Sequence, residues 1–126
     1  MTTIVQEANM SVTDSLIPSY IHVKQYDNLT RRIKCVVYNG GVLEEIDSDS
    51  SVEVSCTLPS GNALVYTSED NSDLLYISDG CIYFVIPSAM TAEVGRVPVD
   101  VTLTDGDTAR LGLFSLVLSV SPTSKE

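Results

Sequence analysis

The side chains best suited to acid–base or metal chemistry are one histidine and three cysteines. His22 lies in an alternating apolar and polar segment, without the nucleophile elbow or orienting carboxylate that a catalytic triad needs. Cys35, Cys56 and Cys81 lack the paired spacing of a zinc site. We therefore expect His22 to be structural and the cysteines to be reduced, buried thiols, with a disulfide as the alternative.

Three short acidic segments, at 47–49, 69–73 and 105–107, carry oxygen ligands suited to a hard cation. None has the twelve-residue spacing of a calcium-binding loop, and glycine-rich phosphate loops are absent from the sequence. The segments are typical of solvated turns, and calcium binding in them is left open. The sequence predicts no catalytic residue, no cofactor and no metal, and therefore a protein that is not an enzyme.

The charge is strongly acidic and unevenly distributed. Seven Lys and Arg against 17 Asp and Glu give a net charge of −10, which repels nucleic acid and anionic lipid. Four of the seven basic residues nevertheless fall in one segment: Lys24, Arg31, Arg32 and Lys34. With Asp27 they are candidates for contact with an acidic partner surface, since a local basic patch orients the approach. The alternatives are a solvated strand face, or a brace in which Arg31 or Arg32 pairs with Asp27.

The elements that must position these residues are short strands. A chain of 126 residues, 44% of them hydrophobic, buries one core, and no apolar run approaches the roughly 18 residues of a membrane span. The N-terminus lacks the pattern of a signal peptide, so synthesis in a cytoplasm is expected. Alternating segments between turn signals predict an all-β fold, an antiparallel β-sandwich. The predicted parts are a flexible lead-in or edge strand at 1–16, the sandwich at 17–120 and a tail at 121–126.

Turn residues divide the sandwich into predicted strands. Asn39-Gly40-Gly41, Asp79-Gly80 and Asp105-Gly106-Asp107 are strong signals for tight turns between neighbouring strands. The predicted strands are 20–24, 32–38, 42–46, 52–58, 63–67, 74–78, 81–86, 97–104 and 111–120. The alternation within them predicts a core of Ile33, Cys35, Val37, Val54, Ile82, Phe84, Val99, Val101, Phe114 and Leu116.

The stretch 81–104 joins two of these strands through the one helical turn that the sequence predicts. Pro87 ends the first strand, and the turn is expected at 88–95. The Ser88 hydroxyl is expected to cap it, and Gly95 to close it in a left-handed conformation. Strand, turn and strand are expected to form one half of the sandwich.

Several short motifs follow one another in a defined order. They are Asp27 before Thr30-Arg31, the turn Asn39-Gly40, the turn Pro59-Ser60-Gly61, the run Thr91-Ala92-Glu93-Val94-Gly95, and a closing strand from Phe114 to Val120. In this order the chain resembles, over most of 20–120, the N-terminal domain of the baseplate upper proteins from tailed phages of Gram-positive bacteria. Tyr26 departs from the family pattern, where glycine is usual, and the turn after Asn39 carries a doubled glycine.

The resemblance implies an immunoglobulin-like sandwich that anchors an adaptor to a phage tail baseplate, where the adaptor carries receptor-binding proteins. It implies a place in the virion and contact with other baseplate proteins, namely the distal tail protein and the receptor-binding protein. It also implies a homo-oligomer, with a trimer favoured, and neither nucleic acid nor membrane is expected as a partner. The alternative is a carbohydrate-binding adhesin module of a phage or cell surface. Such a module needs aromatic rings in a shallow groove, and the sequence has no Trp.

Overall fold

Strands dominate the structure. It is a computed structural model and describes residues 4–11, 19–39, 42–46, 49–105 and 109–122. The elements within these ranges are β1 (Ile4–Ser11), β2 (Ser19–Lys24), β3 (Arg31–Asn39), β4 (Val42–Glu44), β5 (Ser51–Thr57), β6 (Ala63–Thr67), β7 (Leu75–Ser78), β8 (Cys81–Val85), a 3-10 helix (Ser88–Met90), β9 (Gly95–Asp105) and β10 (Ala109–Ser121). Each strand predicted between 20 and 120 is present, with its limits shifted by at most two residues.

The strands form two sheets that pack face to face as a β-sandwich. Sheet 1 has the order β1-β3-β8-β7, with β4 also paired to β3, and sheet 2 has the order β6-β5-β9-β10-β2. Side chains from both sheets meet in one core, where the Tyr66 and Phe84 rings lie 5.7 Å apart between centroids. The sheets are joined at one corner, where Ser11 of β1 pairs with Phe114 of β10.

The predicted antiparallel pairing is found for most strand pairs but not for all of them. β1 runs parallel to β3, and β2 runs parallel to β10. Turn signals predict antiparallel pairing only between strands that follow each other in the chain, and neither of these pairs does. β1 and β3 lie in sheet 1 and β2 lies in sheet 2, so these strands alternate between the sheets instead of forming hairpins. A strand that reaches its neighbour by such a crossing can run parallel to it.

Alternation explains which side chains enter the core. Along β9, Val97, Val99, Val101 and Leu103 are buried, while Pro98 and Asp100 are exposed. The predicted core is confirmed for Ile33, Cys35, Val37, Val54, Ile82, Phe84, Val99 and Val101. The side chains of Phe114 and Leu116 lie outside those that the structure describes. Each fully buried side chain of this kind contributes about 1.5–3 kcal/mol through removal of apolar surface from water.

Two local predictions about turns and thiols are also confirmed. Asp79 and Gly80 have φ values of 52° and 77°, the left-handed pair that a tight hairpin turn requires. All three cysteines are free thiols; Cys35 and Cys56 are buried as predicted, whereas Cys81 is only half-buried. Burial, with a smaller contribution from the neighbouring Cys81, raises the pKa of Cys35 to about 12, and burial also raises the pKa of Cys56.

The helical turn after β8 is present, but it connects different halves of the sandwich. The 3-10 helix leads from β8 in sheet 1 to β9 in sheet 2, so the expectation that both strands share one half is wrong. The Ser88 hydroxyl does not cap the helix, because Pro87 occupies the cap position without a side-chain hydrogen bond. The Ser88 backbone N–H is instead satisfied by Asn28 Oδ1 at 2.9 Å, from a loop 60 residues away in the chain.

Gly95 has the positive φ that the sequence predicts, at 132°. It opens β9 rather than closing the helix, whose C-cap is Thr91. A Cβ atom at position 95 would lie 3.1 Å from Pro59 Cγ, which is tighter than ordinary van der Waals contact. Both the backbone conformation and the neighbouring loop therefore favour glycine here.

We expect Gly95→Val to lower the free energy of unfolding by about 1 kcal/mol or more, because a β-branched residue disfavours positive φ and its side chain meets Pro59. Gly61→Val is the matched control, since Gly61 has φ of 98° but open space where its Cβ would lie. Urea titration of both variants should show the larger loss for Gly95→Val. An equal loss would mean that the contact with Pro59 contributes nothing.

Candidate functional site

Three loops meet at one end of the sandwich. They span 25–30 between β2 and β3, 58–62 between β5 and β6, and 86–94 between β8 and β9. Each leaves the carboxyl end of its strand, and the register of the sheets brings these ends together. We call these three loops the loop cluster.

Backbone hydrogen bonds lock the first and third loops together. The Tyr26 N–H donates to the Thr91 carbonyl at 3.1 Å, and the Leu29 N–H donates to the Ile86 carbonyl at 2.9 Å. Thr91 is fully buried, and its hydroxyl donates to the Asp27 carbonyl at 2.8 Å. Both loops cross from one sheet to the other, so their mutual contacts also hold the sheets together at this end.

The second loop is attached through a carboxylate. Glu93 accepts hydrogen bonds from the backbone N–H and the hydroxyl of Ser60, each at 2.7 Å. This contact adds to the approach of Pro59 to Gly95. Loop 58–62 is therefore held against loop 86–94 by both contacts.

Three of the short motifs converge in the loop cluster. Asp27 with Thr30-Arg31, the Pro59-Ser60-Gly61 turn and the run from Thr91 to Gly95 are far apart in sequence and adjacent in space. Their residue types are those that the interlocking needs: a buried hydroxyl at Thr91, a carboxylate at Glu93 and a hydroxyl at Ser60. The sequence showed the motifs but not that they contact one another, and it gave no sign of the role of Asn28.

Asp27 of loop 25–30 forms an ion pair with Arg31, the first residue of β3. Arg31 Nε donates to Asp27 Oδ2 at 2.8 Å, and the Lys24 backbone N–H donates to the same oxygen at 3.0 Å. Partial burial of Asp27 opposes its ionisation, but these hydrogen bonds and the charges of Arg31 and Lys24 outweigh it and lower its pKa. This is the geometry of the bracing interpretation, in which Arg31 stabilises its own connector.

The five candidate contact residues do not form one patch. Lys24, Asp27 and Arg31 lie at the loop cluster. Arg32 and Lys34 lie on the outer face of sheet 1, opposite the buried Ile33 and Cys35. There the Arg32 guanidinium lies 5.9 Å from the centre of the Tyr76 ring.

Loop 25–30 also holds two residues in a conformation that bulky side chains rarely adopt. Tyr26 has φ of 72° and Leu29 has φ of 59°. A left-handed conformation costs a non-glycine residue roughly 1–2 kcal/mol. The resemblance places glycine at position 26, and the structure keeps the backbone that glycine favours although the residue is Tyr. Both side chains are exposed, by 64% for Tyr26 and 47% for Leu29.

Metal and membrane sites receive no support within the described residues. No group of three or more His, Cys, Asp or Glu side chains there is placed to hold a metal ion. No helix in those ranges is long and apolar enough to cross a bilayer. His22 is exposed on β2. Of the three acidic segments, 47–48 and 106–107 lie outside the described residues.

Comparison with known proteins identifies the fold. No protein-family model matches the chain, and no curated protein matches it in sequence. Among solved structures, the chain is similar to the N-terminal domain of phage TP901-1 ORF48, with a TM-score of 0.69. The match covers 94% of this chain and 99% of that chain at 9% sequence identity. The two domains share a β-sandwich fold.

We expect the Asp27 carboxylate to make stability depend on pH. Because its pKa is lower in the folded than in the unfolded state, its contribution is present above the unfolded value of about 3.9 and is lost as the pH falls through the folded value. Asp27→Asn should lower the Tm at pH 7, and the difference from the wild type should shrink below about pH 4. Asp100→Asn, an exposed carboxylate on β9, is the control for general charge effects. A constant Tm difference across this pH range would contradict the assignment.

Proposed function

We propose that this chain is a structural, non-enzymatic protein of a phage virion. It acts as the N-terminal anchoring domain of an adaptor in the tail baseplate, and the adaptor carries receptor-binding proteins. The proposal includes an immunoglobulin-like sandwich, an arrangement in which loops gather at the ends of two packed sheets.

The observation that carries this proposal is the convergence of the motifs in the loop cluster. The resemblance to baseplate upper proteins was based on motifs separated along the chain, and three of them build one contact region. The fold on which they sit is shared with the N-terminal domain of a phage protein. Sequence order, spatial arrangement and fold thus support the same class of protein.

The proposed partners are the distal tail protein and the receptor-binding protein, and a homotrimer is the proposed oligomer. The candidate contact residues are Lys24, Asp27, Arg31, Arg32 and Lys34. In the structure these residues divide between two roles. Arg31 and Asp27 shape the connector, whereas Lys24 is exposed and Arg32 and Lys34 are half-buried on an outer face.

The adhesin alternative has less support from the aromatic residues. Tyr76 and Tyr83 are adjacent on the outer face of sheet 1. Two neighbouring aromatic rings on the face of a sheet could serve as a platform for a sugar. Their rings stack on each other, with centroids 5.4 Å apart and planes 12° apart, so each ring partly covers one face of the other. Arg32 lies over the Tyr76 ring as well. A sugar ring needs a free aromatic face, and this pair offers little.

The proposal is tested by binding to the purified distal tail protein of the same phage, measured by biolayer interferometry at two salt concentrations. We expect the wild-type domain to bind, and Arg32→Ala combined with Lys34→Ala to slow association and flatten its salt dependence. The control is Ala63→Glu combined with Val65→Glu, which changes the net charge equally but on exposed positions of β6 in sheet 2. No binding by the wild type would contradict the anchoring role. Equal slowing in both double variants would show that net charge, rather than this face, controls the encounter.

A further inference from the structure

The loop cluster presents apolar side chains to solvent from loops that hydrogen bonds tie together. Tyr26 and Leu29 are both exposed, and Ile4 and Val94, at the same end of the sandwich, are exposed by 49% and 44%. Ile4 is held there because its N–H donates to the Thr30 carbonyl at 2.7 Å. Single exposed apolar residues are ordinary, but several at one end of a domain indicate a contact surface.

The conformation of loop 25–30 is fixed by its surroundings rather than by its own residues. Left-handed backbone at Tyr and Leu persists where neighbouring structure determines it, and such residues concentrate at functional sites. Here backbone N–H groups anchor the loop at nearly every position: Gln25 to Ser121, Tyr26 to Thr91, Asp27 to Lys24, and Leu29 to Ile86. Asn or Gly would fit positions 26 and 29 with less strain. The exposed Tyr and Leu side chains gain little from burial in the isolated domain, so their benefit requires a partner.

Charge divides the sandwich into a basic and an acidic end. Lys24, Arg31 and Arg96 each lie at a strand terminus next to the loop cluster, and Arg31 is paired there with Asp27. The two described carboxylates within the cluster, Asp27 and Glu93, are already engaged by Arg31 and Ser60. At the opposite end, turns and strand termini carry the carboxylates Glu45, Asp49, Glu53, Glu69, Asp70 and Asp79. A domain with this polarity turns its loop cluster toward an acidic surface.

We propose that loop 25–30 is the docking element of the domain, and that Tyr26 and Leu29 insert into an apolar cleft rimmed by carboxylates on another virion protein. The inference rests on the proposed function and names the surface that performs it. Tyr is enriched among the residues that dominate binding energy, because it combines a large apolar area with few rotatable bonds. The rigid loop lowers the entropic cost of binding, since both side chains are presented before the partner arrives.

A second copy of the chain is a poorer occupant. The acidic end has the right charge, but described cavities there, of about 250 and 260 Å³, are lined half or more by polar side chains, such as Ser51, Thr67 and Glu69 in one and Ser50, Ser68 and Ser72 in the other. Such a cavity does not suit a Tyr and a Leu side chain. Nucleic acid and anionic lipid have the charge to attract the basic end, but the net charge of −10 repels both.

The test replaces each residue by Asn, which tolerates the left-handed conformation. We expect Tyr26→Asn, Leu29→Asn and the double variant to keep or raise the Tm while affinity for the distal tail protein of the same phage falls at least tenfold in the double variant. Val65→Thr is the control, because it removes a similarly exposed apolar side chain from β6 at 57% exposure. Its affinity should equal that of the wild type. The opposite directions of the stability and binding changes separate docking from a structural role.

Each result bears on the inference separately from the proposed function. If the wild type does not bind the distal tail protein, the anchoring proposal fails. If the wild type and the double Asn variant bind equally, the anchoring proposal stands and the docking assignment is overturned. A clear fall in Tm for the Asn variants would show that Tyr26 and Leu29 stabilise the fold instead. The assignment would also be overturned by self-association that the variants abolish in sedimentation velocity, or by wild-type binding to duplex DNA or to phosphatidylglycerol vesicles.

Discussion

The Thr91 hydroxyl donates a hydrogen bond to the Asp27 carbonyl from a fully buried position. Leaving a buried hydroxyl without a hydrogen bond costs about 1–3 kcal/mol, so this contact strongly constrains how the two loops meet. Because each loop crosses from one sheet to the other, the bond also constrains how the sheets are placed at this end. The ion pair of Asp27 and Arg31 and the contact of Glu93 with Ser60 extend the same network to the surface.

This network explains why loop 25–30 tolerates an unfavourable backbone. A loop free to relax would release the strain at Tyr26 and Leu29 by rotating to negative φ. Here the backbone partners at Ile86, Thr91 and Ser121 would be lost by that rotation. The domain therefore gives up some stability to hold two apolar side chains in solvent, a common relation between stability and function.

The sequence predicted those features that depend on local patterns. Alternation located the strands and most of the core, because side chains point to opposite faces in turn, and Asp79-Gly80 specified its hairpin through its own φ preferences. The parallel pairs β1–β3 and β2–β10 were missed, because they join strands that no turn connects. The basic segment was noticed as a cluster in sequence, but alternation along β3 sends Arg31 and Arg32 to different surroundings.

The candidate site was only partly visible in the sequence. Its motifs were recognisable, yet their contacts span 33 to 67 residues along the chain, as between Ser60 and Glu93 or Gln25 and Ala92. The contact of Asn28 with the start of the 3-10 helix, where the Ser88 hydroxyl was predicted to cap, was missed because Asn28 lies 60 residues away in the chain. The conformation of Tyr26 could not be inferred from its type, since tertiary contacts override the preference of Tyr for negative φ. The one hint of this left-handed conformation was that the family resemblance places glycine at position 26.

Contacts from loop 86–94 are expected to hold loop 25–30 rigid. Native-state hydrogen exchange of the Tyr26 and Leu29 amides tests it most directly, with the Ile33 amide of β3 as a reference within the core. Slow exchange is expected at both loop amides in the wild type, close to that of Ile33. In Thr91→Val, which keeps the shape but removes the hydroxyl, exchange at Tyr26 should accelerate at least tenfold while Ile33 changes much less. Rapid exchange of the two loop amides in the wild type, or no change in the variant, would contradict it.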